Sequence, residues 1–297
     1  MSAQIIDGKA IAAAIRTETS AGASALRARG IVPKLAALTV GDDASAGAYA
    51  ESQRKDAAGV GIEYERVALP AGAAESDAIR EIDRLNRDAT VSGIILQMPL
   101  PKSWDTFSLQ QRIAPAKDVE GVGNANLGLL FMGREALVPC TAAAAFACLN
   151  STGVPIEGRD AVVVGRSVIV GKPLSFLLLH SHATVTVCHT RTADLAAHTR
   201  GAEILMVAAG VAGLIGAEHV APGTIVIDVG MHRVSVVAAD GTHQKKTLGD
   251  VRYDEVAPLA RAITPVPGGV GPVTVAMLLA NTLQAADRAA RTTAPRI

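Results

Sequence analysis

The chain has 297 residues, a formal net charge of zero at neutral pH and a hydrophobic fraction of 49%. This length is sufficient for two domains, each with its own core. The chain has balanced charges and no basic run interleaved with aromatic residues. It therefore lacks the usual sequence features of proteins that bind nucleic acids or membrane surfaces. No apolar run reaches membrane-spanning length, and the N-terminus has no secretory leader pattern. The three cysteines show no metal-ligand spacing, so we expect reduced thiols, no bound metal and a cytoplasmic protein.

The first half of the chain alternates helix and strand patterns. Asp7 is placed to cap a helix that ends at Gly30, and Ser76 to cap another. This alternation predicts an α/β fold with a parallel sheet and helices on both faces, in which ligands gather at the carboxyl ends of the strands. The predicted helices cover residues 8–29, 46–58 and 76–87, and the predicted strands cover 34–40, 62–69 and 93–97.

Polar side chains are expected at one edge of this sheet. Gln97 lies at the carboxyl end of its strand, and the helix after Gly41 carries Tyr49 and Gln53 on one face, four residues apart. We therefore predict that these three side chains line one cleft, although Tyr49 alone would also suit a packing role. The stretch 117–128 is predicted as a loop, and its charges alone would suit a solvated turn.

The second half of the chain contains the order strand, glycine turn, helix, from Ala161 to Leu179. Backbone N–H groups and the positive end of the helix dipole converge in such a turn, which suits a phosphate. The spacing is not that of the standard dinucleotide fingerprint, so a buried turn without a ligand is the alternative. The residues of the turn are Gly165, Arg166 and Ser167.

The next predicted strand, Ala183–Cys188, indicates which dinucleotide such a turn would bind. It ends in His189, Thr190 and Arg191, with no acidic residue. An NAD site usually has a carboxylate at this point, whereas an NADP site has hydroxyl and basic groups for the 2′-phosphate. The sequence therefore favours NADP, and the alternative is an ordinary solvated turn.

The rest of the second half is predicted as two more buried strands, a hairpin, a short helix and a Pro-Gly loop. The loop Ile263–Pro272 has three prolines and three glycines, which constrain its backbone more than a plain linker requires. We place one domain at residues 1–138 plus 272–297, and a Rossmann-like domain at 139–271. The strands cover 203–209 (followed by Gly210) and 223–229, the hairpin 234–237 with 246–251, and the helices 254–261 and 273–291.

Several motifs resemble those of the methylenetetrahydrofolate dehydrogenase/methenyltetrahydrofolate cyclohydrolase family, over about Ile6 to Ala286. Most specific are the string G-R-S-x-I-V-G-x-P and the string P-G-G-V-G-P-x-T. The matching segments are Val40–Asp43, Gly93–Pro101, Pro115–Val119, Pro139–Thr141, Val163–Pro173, Ala183–His189 and Pro267–Thr274.

The resemblance implies a homodimer of two-domain subunits with a cleft between the domains. It also implies a folate substrate that lies on Tyr49, with its pterin read by Gln97 and an acidic residue. NADP would bind at the glycine turn, with Arg166 and Thr190 near its 2′-phosphate. On this basis the predicted substrate-binding residues are Tyr49, Gln97, Met98, Pro99, Glu120, Pro267, Gly268 and Gly271. The predicted cofactor-binding residues are Gly165, Arg166, Ser167, His189, Thr190, Arg191 and Gly210.

The predicted catalytic residues are Tyr49, Gln53, Gln97 and Glu120, and the chain departs from the family pattern at two of them, Gln53 and Glu120. The family has Y-x-x-x-K, where the Lys manages protons during hydrolysis, but here Gln53 stands at that position. Lys55 cannot replace it, because two residues along a helix turn a side chain to another face. Glu120 stands where the family has a pterin-binding Asp. The family pattern is also altered at residues 123–126 and at Ala142.

Three interpretations of function follow. The first is an NADP-dependent dehydrogenase with weak or lost cyclohydrolase activity, because Gln53 has no suitable proton-accepting pKa. The second is the fully bifunctional enzyme, with water activated by another group such as Glu120. The third is a catalytically silent relative that binds folate or nucleotide, which the intact Gln97 and glycine motifs disfavour.

Overall fold

The computed structural model describes the backbone of residues 3–41, 44–237 and 243–293, and the side chains of residues 3–41, 51–235 and 245–292. The chain divides into two compact units. One combines the N-terminal segment up to Ala13 with Thr141–Val275, and the other combines Ala14–Cys140 with the segment from Ala276 onward. Among the described helices, none is both long and apolar enough to cross a membrane.

The elements before residue 140 follow the predicted alternation. They are β1 (Gln4–Ile5), α1 (Gly8–Ala28), β2 (Lys34–Val40), α2 (Ala44–Gly59), β3 (Glu63–Leu69), α3 (Glu75–Arg87), β4 (Gly93–Leu96), α4 (Thr106–Arg112) and α5 (Asn124–Phe131).

The elements of the second half begin with a helix that starts at Cys140. They are α6 (Cys140–Asn150), β5 (Asp160–Val164), α7 (Gly171–His180), β6 (Thr184–Cys188), α8 (Leu195–Thr199), β7 (Ile204–Val207), β8 (Ile225–Asp228), β9 (His232–Val237), β10 (His243–Leu248), α9 (Tyr253–Val256), β11 (Ala262–Ile263) and α10 (Val270–Thr293), with a 3-10 turn at Ala217–His219.

The unit that contains β2 is built on a three-stranded parallel sheet in the order β3-β2-β4. Side chains of β2 point alternately to opposite faces. Ala36 and Leu38 belong to a core formed with α3 and α4, whereas Leu35 and Ala37 belong to a second core that includes Leu279 of α10. The prediction of helices on both faces is therefore confirmed.

The other unit contains a six-stranded sheet in the order β1-β11-β8-β7-β5-β6, and every pairing in it is parallel. The predicted hairpin is confirmed as the antiparallel pair β9 and β10. Strand β1 joins this sheet because Gln4 and Ile5 pair with Ala262 and Ile263. Residues up to Ala13 consequently group with this unit, whereas the sequence-based boundary had placed them with residues 14–138.

Four details of the predicted elements are wrong. Helix α3 begins at Glu75 with Ala74 at the N-cap, and Asp77, not Ser76, accepts the Ala74 N–H at 2.8 Å. The last part of the predicted loop 117–128 is helical, because helix α5 begins at Asn124. The predicted helix 254–261 is the shorter α9. Helix α10 begins at Val270, because Pro272 in the first turn of a helix loses no hydrogen bond.

The three cysteines, Cys140, Cys148 and Cys188, are buried and form no disulfide, as expected for reduced thiols. Burial raises the pKa of the Cys148 thiol to about 12 and raises the pKa of Cys188 as well. Burial and the nearby carboxyls of Glu120 and Asp118 also raise the pKa of Cys140. These thiols are packing groups at neutral pH.

Asn126 on α5 explains why the altered 123–126 segment still folds. Its side chain is 2% exposed, and its amide nitrogen donates to the Pro115 carbonyl and to the Asp118 carboxylate, both at 3.0 Å. Its amide oxygen accepts the Leu137 N–H at 3.2 Å. One buried side chain therefore joins three parts of the chain.

We expect Asn126→Ala to lower the free energy of unfolding by about 2–4 kcal/mol, because it leaves buried polar partners unsatisfied. Urea denaturation of the full chain measures the change. The matched control is Asn150→Ala, whose side chain is exposed and which should shift stability by less than about 0.5 kcal/mol. Equal stability of the two variants would contradict the structural role of Asn126.

Candidate functional site

The carboxyl end of β4 brings together two of the predicted catalytic residues. The Gln97 backbone N–H donates to the Leu38 carbonyl at 2.9 Å, which extends the pairing with β2 one residue beyond the strand. The Gln97 side-chain nitrogen donates to Oε1 of Gln53. After Gln97 come Met98, which is 59% exposed, and a cis Met98–Pro99 peptide bond. This strand end is therefore open to a ligand beside a fixed amide.

Gln53 is buried at 6% exposure, and its amide oxygen has a second donor. The Tyr64 hydroxyl donates to the same Oε1 at 3.2 Å. Sequence reasoning missed Tyr64, although its place at the start of β3, next to β2 and close to α2, could have suggested it. Gln53 therefore acts as an acceptor between Tyr64 and Gln97.

Lys55 lies on a different face of α2, as predicted. Its side chain is 72% exposed, and its ammonium group is 3.9 Å from the Glu51 carboxylate. It cannot take the place of a lysine at position 53. The side chain of Tyr49 lies outside the described residues, so its predicted contact with substrate stays a prediction.

Glu120 lies beside the same strand end. The backbone N–H of Leu96, the residue before Gln97, is near enough to lower the pKa of its carboxyl slightly. Burial, with a smaller effect from the Asp118 carboxylate, raises the pKa of Glu120 to about 7. The side chain is half-buried, so it keeps some access to solvent. A carboxyl of this kind can exchange a proton near neutral pH.

Asp118 shapes the loop that carries Glu120. This carboxylate is 1% exposed and accepts backbone N–H groups from Gly121 at 3.1 Å, Val122 at 3.3 Å and Gly123 at 2.8 Å. Gly121 has a φ of +69°, and a Cβ there would lie 2.4 Å from the Leu137 carbonyl oxygen. The charges of this stretch alone had suggested a solvated turn, but the backbone on both sides of Glu120 is fixed.

Lys117, another charge of this stretch, does not join the site. Its ammonium group donates to the carbonyls of Leu85 at 2.9 Å and Asp88. Burial lowers the pKa of Lys117, and the nearby Asp88 partly opposes that effect. Lys117 is therefore a structural tether between its own loop and the end of α3.

In the other unit, the glycine turn follows β5. Gly165 has a φ of +126°, and a Cβ there would lie 2.1 Å from the Ala208 carbonyl oxygen, so only glycine fits. The Ser167 hydroxyl accepts the N–H of Val170 at 3.2 Å and of Gly171 at 3.4 Å, where α7 begins. Arg166 is exposed. Helix α7 starts at Gly171, three residues later than the sequence pattern predicts.

The turn after β6 lies at the same sheet edge. The Gly165 N–H donates to the Cys188 carbonyl at 2.9 Å, which links the ends of β5 and β6. The His189 ring nitrogen Nδ1 accepts the Arg191 backbone N–H at 3.1 Å, and the side chains of Thr190 and Arg191 are exposed. Two basic side chains and a hydroxyl thus occupy adjacent turns, which suits a phosphate.

Gly210, the last predicted cofactor-binding residue, follows β7, the neighbour of β5 on its other side. Its φ is +70°. The Asp250 carboxylate accepts the N–H groups of Ala209 at 2.6 Å and Gly210 at 2.9 Å. Sequence reasoning missed Asp250, which lies 40 residues further along the chain than Gly210.

The Pro-Gly loop is partly helical. Val266–Pro267 is a cis peptide bond, and Gly268 has a φ of +110°. The Gly268 carbonyl accepts the Gly8 N–H at 3.0 Å, and the Gly269 N–H donates to the Pro265 carbonyl at 2.8 Å. Gly271 lies inside α10, not in a loop as expected. The roles of Pro267, Gly268 and Gly271 in substrate binding stay predictions.

Comparison with known protein families covers most of the chain. Residues 6–120 match the model of the tetrahydrofolate dehydrogenase/cyclohydrolase catalytic domain. Residues 139–290 match the model of the NAD(P)-binding domain of the same family. The first match lies mostly in the unit that contains Ala14–Cys140, and the second lies mostly in the unit that contains Thr141–Val275.

Curated relatives match over nearly their whole length. The bifunctional protein FolD 1 of Rubrobacter xylanophilus is 49% identical over 284 residues, which are 96% of this chain and 97% of the relative. The bifunctional protein FolD of Geobacillus thermodenitrificans is 46% identical over 290 residues, 98% and 99% of the two chains.

Solved structures confirm the two-domain α/β fold. The bifunctional FolD methylenetetrahydrofolate dehydrogenase/cyclohydrolase of Campylobacter jejuni has a TM-score of 0.89 and 38% identity, and covers 97% of this chain and 99% of its own. The Trypanosoma brucei FolD, complexed with NADP cofactor and an inhibitor, has the same TM-score and identity, with 98% and 99% coverage. These matches show that this chain is an enzyme of the tetrahydrofolate dehydrogenase/cyclohydrolase family.

Proposed function

We propose that the enzyme oxidises 5,10-methylenetetrahydrofolate to 5,10-methenyltetrahydrofolate, with NADP as the oxidant. The arrangement at the end of β4 carries this proposal. Gln97 is held by Gln53, and the Glu120 carboxyl lies near the backbone N–H of Leu96, the residue before Gln97. An amide and a carboxyl at one strand end can read the donor and acceptor edge of a pterin.

This oxidation needs alignment more than acid–base help. A hydride leaves the methylene carbon of the folate, and the product is a delocalised cation; NADP supplies the hydride acceptor when bound. The neutral Gln53 places no positive charge beside that cation. Replacement of a lysine by Gln53 is therefore compatible with full dehydrogenase activity.

The turns after β5 and β6 fit a phosphorylated dinucleotide. Gly165 lets the backbone pass close to Ala208, while the exposed Arg166, Thr190 and Arg191 supply basic and hydroxyl groups with no acid among the turn residues. The presence of NADP in the Trypanosoma brucei relative supports the same cofactor here. Binding of the 2′-phosphate is the feature that separates NADP from NAD.

We expect Arg191→Ala to raise KM for NADP at least tenfold and KM for NAD less than twofold, because NAD lacks the 2′-phosphate. Initial rates of reduced-cofactor formation with both dinucleotides measure this. The matched control, Arg200→Ala, replaces an exposed arginine near the opposite end of β7 and should change neither KM. A parallel rise for both cofactors would contradict a 2′-phosphate contact.

For hydrolysis of the methenyl product, the residues support two candidates. Gln53 alone favours weak or lost cyclohydrolase activity, because an amide does not accept a proton near neutral pH. Two observations favour retained activity: the similar relatives are bifunctional proteins, and Glu120 has a pKa of about 7. We therefore propose a bifunctional enzyme in which Glu120 takes over proton transfer.

In this step a water oxygen bonds to the bridging one-carbon unit of the cation. One proton of the water passes to the Glu120 carboxylate, and the other ends on the ring nitrogen whose bond to that carbon breaks. The product is 10-formyltetrahydrofolate. General-base help of this kind contributes a factor of roughly 10²–10⁴.

We expect the unaltered purified enzyme to form both reduced NADP and 10-formyltetrahydrofolate. We expect Gln53→Lys to raise the rate of hydrolysis by less than about tenfold, because Glu120 already accepts the proton. Paired absorbance assays of the two half-reactions test this. Lys55→Gln, on the solvent face of α2, is the control and should alter neither rate. Near-absent hydrolysis that Gln53→Lys restores by about 100-fold or more would favour the lost-cyclohydrolase candidate.

We also expect a distinct pH dependence. The Glu120 base works only when ionised, so kcat for hydrolysis should rise about tenfold per pH unit below pH 7 and level off above it, given its pKa of about 7. In Glu120→Gln this inflection should vanish, and kcat should fall about 100-fold at pH 8. The dehydrogenase kcat serves as the internal control. An unchanged inflection in the variant would exclude Glu120 as the base.

The effect of Glu120 on the stability of the fold changes with pH in the opposite direction to its effect on kcat. Its folded pKa lies above the ordinary value of 4.5, so its contribution to stability is present at low pH and is lost as the pH rises through about 7. We expect Glu120→Gln to raise the unfolding midpoint at pH 8 and to leave it nearly unchanged at pH 5. Thermal unfolding at the two pH values measures this.

A homodimer and a cytoplasmic location, both expected above, stay predictions. Strand β6 ends the six-stranded sheet as described, and its Val187 is 40% exposed. An edge with an apolar side chain is a suitable surface for a second copy. Sedimentation of the purified chain tests the dimer directly.

A further inference from the structure

Asp250 joins the turn after β7 to the segment that follows β10. Its side chain is 0% exposed, and one carboxylate oxygen accepts the N–H groups of Ala209 at 2.6 Å and Gly210 at 2.9 Å. The other oxygen lies 2.7 Å from Nε2 of His232, whose side chain is 24% exposed. All three parts belong to the unit that contains the NAD(P)-binding domain.

A second buried carboxylate holds the backbone from which Asp250 projects. Asp228, at the end of β8, is 3% exposed and accepts the N–H groups of Asp250 and Val251, both at 3.0 Å, and of Gly230 at 2.9 Å. The Asp228 backbone N–H donates to the Thr264 hydroxyl at 2.7 Å, which links the two carboxylates to the start of the Pro-Gly loop.

Two glycines show how closely the carboxylates fit. A Cβ on Gly249 would lie 1.8 Å from Oδ2 of Asp228, and a Cβ on Gly230 would lie 2.3 Å from Oδ1 of Asp250. Real Cβ atoms do not approach so closely, so both positions need glycine. The surrounding backbone therefore packs closely against the Asp228 and Asp250 carboxylates, and their positions are fixed by contacts on several sides.

We propose that Asp250 is a positioning residue for the dinucleotide, which holds the Ala209–Gly210 turn in its binding conformation. This inference rests on the proposed function, because it requires that NADP binds this unit and that Gly210 is one of its cofactor-binding residues. Gly210 has a φ of +70°, a conformation that a free glycine adopts only part of the time. The two N–H groups of this turn donate charge-assisted hydrogen bonds to one buried carboxylate, which removes the conformational freedom of Gly210 before the cofactor binds.

His232 holds the second carboxylate oxygen and so fixes the rotation of the Asp250 side chain. A carboxylate with one oxygen bound to two amides can still turn about its Cβ–Cγ bond. The 2.7 Å contact with Nε2 of His232 opposes this rotation. His232 therefore acts on the cofactor turn only through Asp250.

The experiment measures the Kd of the reduced form of NADP by fluorescence titration, together with KM for both substrates and kcat. We expect Asp250→Ala to raise that Kd at least tenfold and KM for NADP in parallel, with KM for the folate changed less than twofold. Asp250→Asn should stay within about threefold, because its amide oxygen can still accept both N–H groups and its nitrogen can donate to His232. His232→Ala should raise the Kd about threefold to fivefold.

The matched control is Thr224→Val, which removes a buried hydroxyl bonded to the Ala202 and Ala221 carbonyls, both at 2.9 Å, at the other end of β8. It should lower the unfolding midpoint and leave the Kd unchanged. Should Asp250→Ala fail to fold, His232→Ala and Asp250→Asn decide the matter. An unchanged Kd in His232→Ala, or equal losses in Asp250→Asn and Asp250→Ala, would overturn the inference. Absence of binding by the unaltered enzyme would instead refute the proposed function.

Discussion

Buried carboxylates that accept backbone N–H groups hold both candidate binding regions in shape. Where parallel strands end, the backbone leaves the sheet and its N–H groups lose their partners. Asp118 supplies an acceptor for three such groups beside β4, and Asp228 and Asp250 together supply acceptors for five beside β7 and β8. Without these three side chains the turns would depend on solvent for their hydrogen bonds.

This rigid framework explains how the chain accommodates unusual residues at its candidate site. Asp118 and Asn126 fix the backbone around Glu120, so a longer acidic side chain can be accepted without a change in the loop. Gln53 is likewise held by Tyr64 and Gln97, both neutral partners. The hydrogen bonds of Asp118 and Asn126 do not involve the side chains of residues 53 and 120, to which we assign the proton chemistry in our proposal.

Local patterns were sufficient to predict most elements of the fold. The apolar run of β2 and the cap at Asp7 were predicted correctly, since each is fixed by neighbours in sequence. Helix α5 was missed because its stability comes from Asn126, whose partners lie 8 to 11 residues away, and not from propensity. The pairing of β1 with β11 was also missed, because a strand of two residues is too short to show an alternating pattern in the sequence. Gln53 and Gln97 could be predicted as neighbours from strand order, and the same order could have suggested Tyr64, whereas Asp250 required the folded chain.

The hydrogen bonds of Gln53 fix more than its position. Because one amide oxygen accepts from both Tyr64 and Gln97, a half turn of the Gln53 amide would require both partners to reverse as well, the hydroxyl to accept and the Gln97 amide to turn. The nitrogen of Gln53 lies on the opposite side of the amide, where it presents hydrogens and no lone pair. A water molecule that meets this nitrogen accepts a hydrogen bond from it and cannot give it a proton. The polar groups of Gln53, Tyr64 and Gln97 therefore reverse together or not at all, a coupling that a flexible lysine at position 53 would not have.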